Sequence, residues 1–156
     1  MIQKIVSGGQ TGADIAGIDW AIARNIPYGG WCPKGRMTEA GVLDARYHLI
    51  ETLESGYLPR TERNVAETDG TAIFSLSSVL TGGSLRTKML AKTHHKPCAH
   101  IHPGLPHPEE ALRRFVDEQR IKVLNVAGPR GSKEPGVHAF VVQVLDGAFF
   151  FPEAAK

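Results

Sequence analysis

The chain lacks three things: a strong excess of charge, cysteine beyond two residues, and any long apolar run. Lys and Arg number 18 against 16 Asp and Glu, a formal net charge of +2 over 156 residues. So small an excess, with no basic run, excludes nucleic acid or an acidic membrane as a partner bound by bulk charge. No apolar stretch approaches the roughly 20 residues of a membrane-spanning helix. The first residues follow a strand pattern rather than that of a secretion signal. Cys32 and Cys98 stand far apart, each beside a proline, which argues against a disulfide framework and for a reducing cytoplasm. Repeats, linkers and low-complexity segments are also missing. A hydrophobic content of 42% with 22% charged residues then fits one globular domain spanning 1–156.

Three glycine loops stand out within it. Thr71 to Leu76 reads as a buried strand and leads through Thr81-Gly82-Gly83-Ser84-Leu85-Arg86-Thr87 into a helix with Leu85, Met89 and Leu90 on one side. A glycine loop between strand and helix turns backbone N–H groups toward an anion, and the helix dipole adds partial positive charge. Ser84 and Thr87 offer hydroxyls, and Arg86 offers a two-pronged contact to phosphate. The same order recurs from Ile2–Val6 into Ser7-Gly8-Gly9-Gln10-Thr11-Gly12-Ala13-Asp14. It recurs again from Lys122–Val126 into Ala127-Gly128-Pro129-Arg130-Gly131-Ser132-Lys133. In a parallel sheet all three loops leave the same edge, where they can share one crevice. A single glycine pair marks no more than a turn; three such loops point to a site for a small phosphate-bearing ligand.

Neither familiar nucleotide signature is present. The first loop has no lysine after its glycines as a Walker loop requires, and its glycines are not spaced G-x-G-x-x-G. Gly29-Gly30-Trp31-Cys32 stands where an acidic ribose-binding residue would follow the second strand. ATP hydrolysis and NAD chemistry are both disfavoured.

The remaining segments alternate helix and strand. Ala13 to Arg24 reads as a helix with Ile15, Ile18 and Ile22 on its inner stripe. Asp14 near its start suits the helix dipole, or else a ligand's hydroxyl or ring N–H. Lys34 and Arg36 either reach the crevice or form a solvated turn. Residues 37–56 read as an irregular excursion packed over the mouth of the site. Thr61 caps a short helix to Thr68. Pro97 to Ile101 is a fourth strand, among the histidines His94, His95, His100, His102 and His107. His100 and His102 would share a strand face as a two-ligand pair, yet no acidic or Cys-x-x-Cys partner accompanies them; no protein-bound metal is expected. Pro108 opens a helix with Leu112, Phe115, Val116 and Gln119 inside. A final helix starts near Pro135 or Gly136 and ends at Gly147, with Phe149-Phe150-Phe151-Pro152 as a last strand or an apolar tail.

Ser7–Asp14, Pro33-Lys34-Gly35-Arg36, Glu62-Arg63-Asn64-Val65, Thr81–Ser84 and Asn125–Arg130 together resemble the molybdenum cofactor carrier proteins. These are related to a circularly permuted YpsA-like branch of the Rossmannoid superfamily that includes the LOG proteins. The likeness spans nearly the whole chain. It implies an α/β, Rossmann-like three-layer fold with a mainly parallel central sheet and helices on both faces. It further implies self-association as a homo-oligomer, dimer or tetramer, and a crevice for molybdopterin or a related nucleotide. On that reading Gly8, Gly9, Gln10, Thr11 and Gly12 form one wall, and Gly82, Gly83, Ser84, Arg86 and Thr87 cradle the phosphate. Gly128, Arg130, Ser132 and Lys133 close the other side, with Asp14, Lys34 and Arg36 as further contacts.

LOG enzymes cleave the N-glycosidic bond of nucleoside monophosphates with a Pro-Gly-Gly-x-Gly-Thr-x-x-Glu motif. Here Thr81 replaces the proline, the spacing to Thr87 is one longer, and Leu90 stands where the glutamate belongs. A binder is therefore favoured over a phosphoribohydrolase. Glu39, Glu62 and Glu134 remain candidates for a substitute acid, and a nucleotide-sensing module is a third reading.

Overall fold

The computed structural model describes residues 1–150. The chain runs β1 (Lys4–Val6), α1 (Ala13–Ala23), β2 (Tyr28–Gly29), β3 (Trp31–Cys32), β4 (Met37–Thr38), β5 (Gly41–Val42) and β6 (Ile50–Glu51). It continues α2 (Tyr57–Ala66), β7 (Gly70–Phe74), α3 (Gly82–Thr93), β8 (Cys98–Ile101), α4 (Pro108–Glu118), β9 (Val123–Ala127) and α5 (Val137–Phe149). Five strands form the central sheet in the order β2-β1-β9-β7-β8, and all four pairings are parallel.

Right-handed crossovers dictate the layers. The steps β1 to β2 and β8 to β9 move toward one edge of the sheet, so α1 and α4 cover one face. The step β7 to β8 moves the other way, so α3 covers the opposite face. α5 packs between α1 and α4, and α2 packs on α3. Helices thus lie on both faces, as a Rossmann-like three-layer fold requires. Alternation along the strands divides the sheet accordingly. Ile5, Ala72, Phe74, Ile101, Leu124 and Val126 join the main core with α1, α4 and α5. On the other face, the paired Thr71 and Asn125 bond to each other, Asn125 Nδ2 donating to Thr71 Oγ1 at 3.1 Å.

Several elements depart from the sequence reading, each for a packing reason. The isoleucine stripe of α1 is not its sheet face. Ile22 is exposed, Ile18 joins a second cluster with Cys32, Leu43, Tyr47 and Leu49, and Ile15 packs against that cluster. Ala13, Ala16, Trp20 and Ala21 meet the main core instead. The helix sits so close to β9 that a Cβ on Gly17 would lie 2.9 Å from Val126 Cβ, a gap only small residues fit. Likewise Ser84, Thr87 and Ala91 are the buried face of α3, while Leu85 and Met89 are exposed. Helix α2 begins at Tyr57, not Thr61. Thr61 lies inside it, its hydroxyl donating to Tyr57 O at 2.9 Å, and Gly56 with φ +90 turns the chain into the helix.

At the carboxyl end, α5 continues through Gly147 to Phe149, so Phe149 is helical and Phe150 is its cap. Gly147 has no side chain because Glu109 of α4 occupies that space. Arg113 of α4 donates to Ala148 O at 3.0 Å and Gly147 O at 3.1 Å, meeting the last carbonyls in place of a glycine turn. Phe151 and Pro152 lie outside the described residues. Among the described residues, no helix is long and apolar enough to cross a membrane.

The core makes one direct prediction. Phe74 is fully buried at the carboxyl end of β7 and meets Phe140 of α5 edge-on, with ring centroids 6.4 Å apart. Phe74→Ala should lower the unfolding free energy by about 3–5 kcal/mol, read as a reduced urea midpoint with the slope unchanged.

Candidate functional site

The loops after β1, β7 and β9 all leave the carboxyl edge of the sheet. Two glycines hold the first and last of them together. Gly12, at φ +83, lies where a Cβ would stand 2.5 Å from Pro129 O and 2.6 Å from Gly131 N. Gly128 lies where a Cβ would overlap Phe74 O and press on Ala13 Cβ at 2.6 Å. Between these loops and α2 is a cavity of about 360 Å³, at the small end of the ligand-cavity range.

Its lining comes from four places: Gly8, Gln10 and Asp14; Gly82, Gly83, Ser84 and Thr87; Asn125 to Arg130 with Lys133; and Tyr57, Arg60, Thr61 and Asn64 of α2. Ten of the residues expected from sequence therefore line one cavity. Gly9, Thr11, Gly12 and Ser132 do not; they shape or join the loops behind it. Arg86 is exposed on α3 outside the lining. Lys34 is exposed in its turn, and Arg36 is spent on the excursion, donating to the carbonyls of Asp44 at 2.9 Å and Tyr47 at 2.8 Å. None of residues 37–56 lines the cavity, so the excursion does not roof it.

The four α2 residues were not singled out from sequence. Placing that helix at 61–68 left Tyr57 and Arg60 outside it. Asn64 and Asn125 stood within the quoted motifs but had no chemistry to recommend them. Asn64 fixes α2 to β3, giving Nδ2–H to Trp31 O at 3.0 Å and accepting from Trp31 N at 2.8 Å.

The start of α3 faces the cavity with donors. Gly82 has φ +53, and the N–H groups of Gly82, Gly83 and Ser84 find no acceptor among the described residues. No acidic side chain stands in that first turn. The Lys133 ammonium donates to Thr81 Oγ1 at 2.7 Å, beside Gly82. Such an end attracts an anion through its dipole and its unmet donors.

Deeper in, Asp14 and Arg60 form an ion pair, Arg60 NH1 to Asp14 Oδ2 at 3.4 Å, with side chains only 12% and 4% exposed. Burial pushes the Asp14 carboxyl up; Arg60 and the N–H of Gln10 pull it down. Two further donors, Gln10 Nε2 and Arg60 Nε, are buried without a partner among the described residues. Both atoms belong to residues that line the cavity.

The substitute acids lie elsewhere. Glu134 accepts from the N–H of Leu76 at 2.6 Å, and Glu62 pairs with His94 at 3.0 Å. Glu39, at the tip of the β4–β5 hairpin, ties the first loop to the last: it accepts from Thr11 Oγ1, Ser132 N at 3.0 Å and Ser132 Oγ. These bonds hold its carboxyl below the usual range, the Ser132 hydroxyl contributing most. The histidines are also dispersed. His100 and His102 stack with centroids 4.7 Å apart, and His100 Nε2 meets Ser75 Oγ at 2.5 Å. Among the described residues, no group of three His, Cys, Asp or Glu is placed to hold a metal.

A three-layer parallel α/β fold with a donor-lined cavity at the strands' carboxyl edge defines a Rossmann-like ligand-site architecture. Within that class, the chain belongs to the Circularly permutated YpsA SLOG family, which residues 5–149 match. It is also similar to a crystal structure from Syntrophus aciditrophicus named "Putative molybdenum carrier protein". The two share 43% identity over 95% of each chain, with a TM-score of 0.90. No curated protein matches the chain.

The Glu39 clasp carries a pH signature. A carboxyl held below its ordinary pKa contributes stability that is present above that value and is lost as pH falls through the lowered one. Glu39→Gln should therefore lower the urea midpoint at pH 7. The gap to the native protein should close as pH falls from the ordinary glutamate range through the lowered value, where native Glu39 itself becomes neutral.

Proposed function

We propose that this protein binds and carries a small phosphate-bearing pterin or nucleotide, with the molybdenum cofactor as its cargo. The observation that supports this most is the start of α3, where three free N–H groups and Lys133 face a shared cavity. The name of the Syntrophus aciditrophicus neighbour supports the choice of cargo. The residues fit such a guest. The free donors and the two orphaned buried donors, Gln10 Nε2 and Arg60 Nε, call for acceptor oxygens. The cofactor carries its molybdenum on its own dithiolene, so the protein need supply only binding, orientation and exclusion of water.

In this assignment Gly82, Gly83, Ser84, Thr87 and Lys133 take the phosphate, and Gly8, Gln10, Asp14, Gly128 and Arg130 form the walls. Thr11, Gly12 and Ser132 hold the walls in place. A charge-assisted contact contributes roughly twice a neutral one. Lys133→Ala should therefore weaken a phosphate ligand about tenfold in calorimetry. Arg86→Ala, outside the lining, should change it by less than about twofold; the reverse order would move the phosphate away from Lys133. Incubation with nucleoside monophosphates distinguishes a carrier from a glycosidic hydrolase. Retention of intact nucleotide is expected; release of free base would establish an enzyme.

Self-association is part of the same proposal. Leu85 and Met89, one turn apart on α3, and Val79 in the loop before it are exposed apolar side chains. Sedimentation should show a dimer or tetramer, and Met89→Lys should lower its mass; a monomeric native protein would refute this.

A further inference from the structure

Apart from the start of α3, the cavity holds a second polar set, formed by Gln10, Asp14 and Arg60. Its free groups have a defined pattern. Gln10 Oε1 accepts from Thr11 N at 3.0 Å and from Glu39 N at 2.9 Å. Two N–H donors converge on that atom, so it is the oxygen, and the other end of the amide is the NH₂. That Nε2 is buried and has no acceptor among the described residues, and Arg60 Nε is in the same condition. Asp14 complements them. Its Oδ2 takes Arg60 NH1 at 3.4 Å and Gln10 N at 3.2 Å, while Oδ1 accepts no hydrogen bond among the described residues. All three residues line the cavity, and Asp14 Oδ2 is in contact with both of the others. At the same cavity, the guanidinium carbons of Arg60 and Arg130 lie 5.5 and 5.6 Å from the centroid of the Tyr57 ring, which brings planar groups together there.

We propose that Gln10, Arg60 and Asp14 read the lactam edge of the ligand's heterocycle, a ring carbonyl beside a ring N–H. Gln10 Nε2 and Arg60 Nε donate to the carbonyl, and Asp14 accepts the N–H. This rests on the carrier reading above and adds the ring that accompanies the phosphate. Pterins and guanine share this edge. Adenine reverses it: its ring N1 acceptor would face the carboxylate, and its amino group would face the donors. A buried hydrogen-bonding site rejects such a reversal strongly, because its own groups are left unpaired.

Guanosine and adenosine 5′-monophosphates carry the same ribose phosphate and differ at this edge, so their affinity ratio isolates it. Calorimetry on the native protein should show the guanosine nucleotide at least about tenfold tighter. Arg60→Lys, which keeps the charge but removes Nε, and Gln10→Met should each cut that ratio to about threefold or less. Both variants should first show a native circular dichroism spectrum. Equal affinities in the native protein, or a preference that survives in a folded variant, would overturn the lactam edge and leave the phosphate cradle standing. Failure of the native protein to bind either nucleotide would overturn the cradle and this inference with it.

Discussion

The site depends on a contact made without side chains. Along one seam, α1 and the loop after β9 approach so closely that Gly12, Gly17 and Gly128 each stand where a Cβ would collide with backbone or with a core residue. This seam joins the first strand–helix unit to the last, although more than 100 residues separate them in the chain. It joins two walls of the cavity and keeps α1 close against β9. Packed interiors are dense and transmit strain, and the loops of the cavity rim meet at this seam in direct backbone contact. The α2 wall is fixed independently by the Asn64–Trp31 pair of bonds.

Charge inside this rim is divided unevenly, with Asp14 against Arg60, Arg130 and Lys133. Arg60 faces Asp14, so the deep part of the cavity has little net attraction for an anion. The excess lies nearer α3, where Lys133 and the helix dipole act together with no acid in the first turn. A guest with one charged end and one neutral polar end matches that division. Inorganic phosphate would satisfy only half of it. The orphaned donors on Gln10 and Arg60 stand at the neutral half, where the bare protein leaves their hydrogen-bonding capacity unmet.

The layer order was legible because it depends on strand–helix alternation, a pattern that survives errors of several residues in each boundary. Loop placement followed from it, since a parallel sheet sends every strand's exit to one edge. Reading helix faces and helix ends from sequence was less successful. The α1 stripe was assigned by hydrophobicity, yet close packing selected alanine and glycine over isoleucine. Glycine at 147 reads as a helix stop in the sequence, yet it lies inside α5 where a Cβ would meet Glu109. Helices α1, α3 and α4 instead end at Asn25, His95 and Arg120, each with φ between 53 and 55, where no glycine announces the turn. Arg60 escaped notice because its role depends on contact with Asp14, 46 residues away; no local pattern encodes such a pairing. Arg36 and Arg86 show the converse, since a basic residue beside a glycine loop need not point into it.

The excursion at 37–56 was expected as a roof and is a brace. Its hairpin reaches the rim through Glu39, from behind the wall, and the bonds it makes go to Thr11 and Ser132 rather than into the cavity. Glu39 also fixes the recognition set, because its N–H is one of the two donors that orient the Gln10 amide. Removing Glu39 would therefore loosen the seam and free the amide together, although no atom of its carboxylate lines the cavity. A brace of this kind sets the polar pattern before any ligand arrives, which cuts the ordering cost of binding. It also makes the orientation of the Gln10 amide a property of the rim's own fold. A lid would act by closing over its guest; here the Gln10 amide is held in one orientation by a segment that does not touch the cavity.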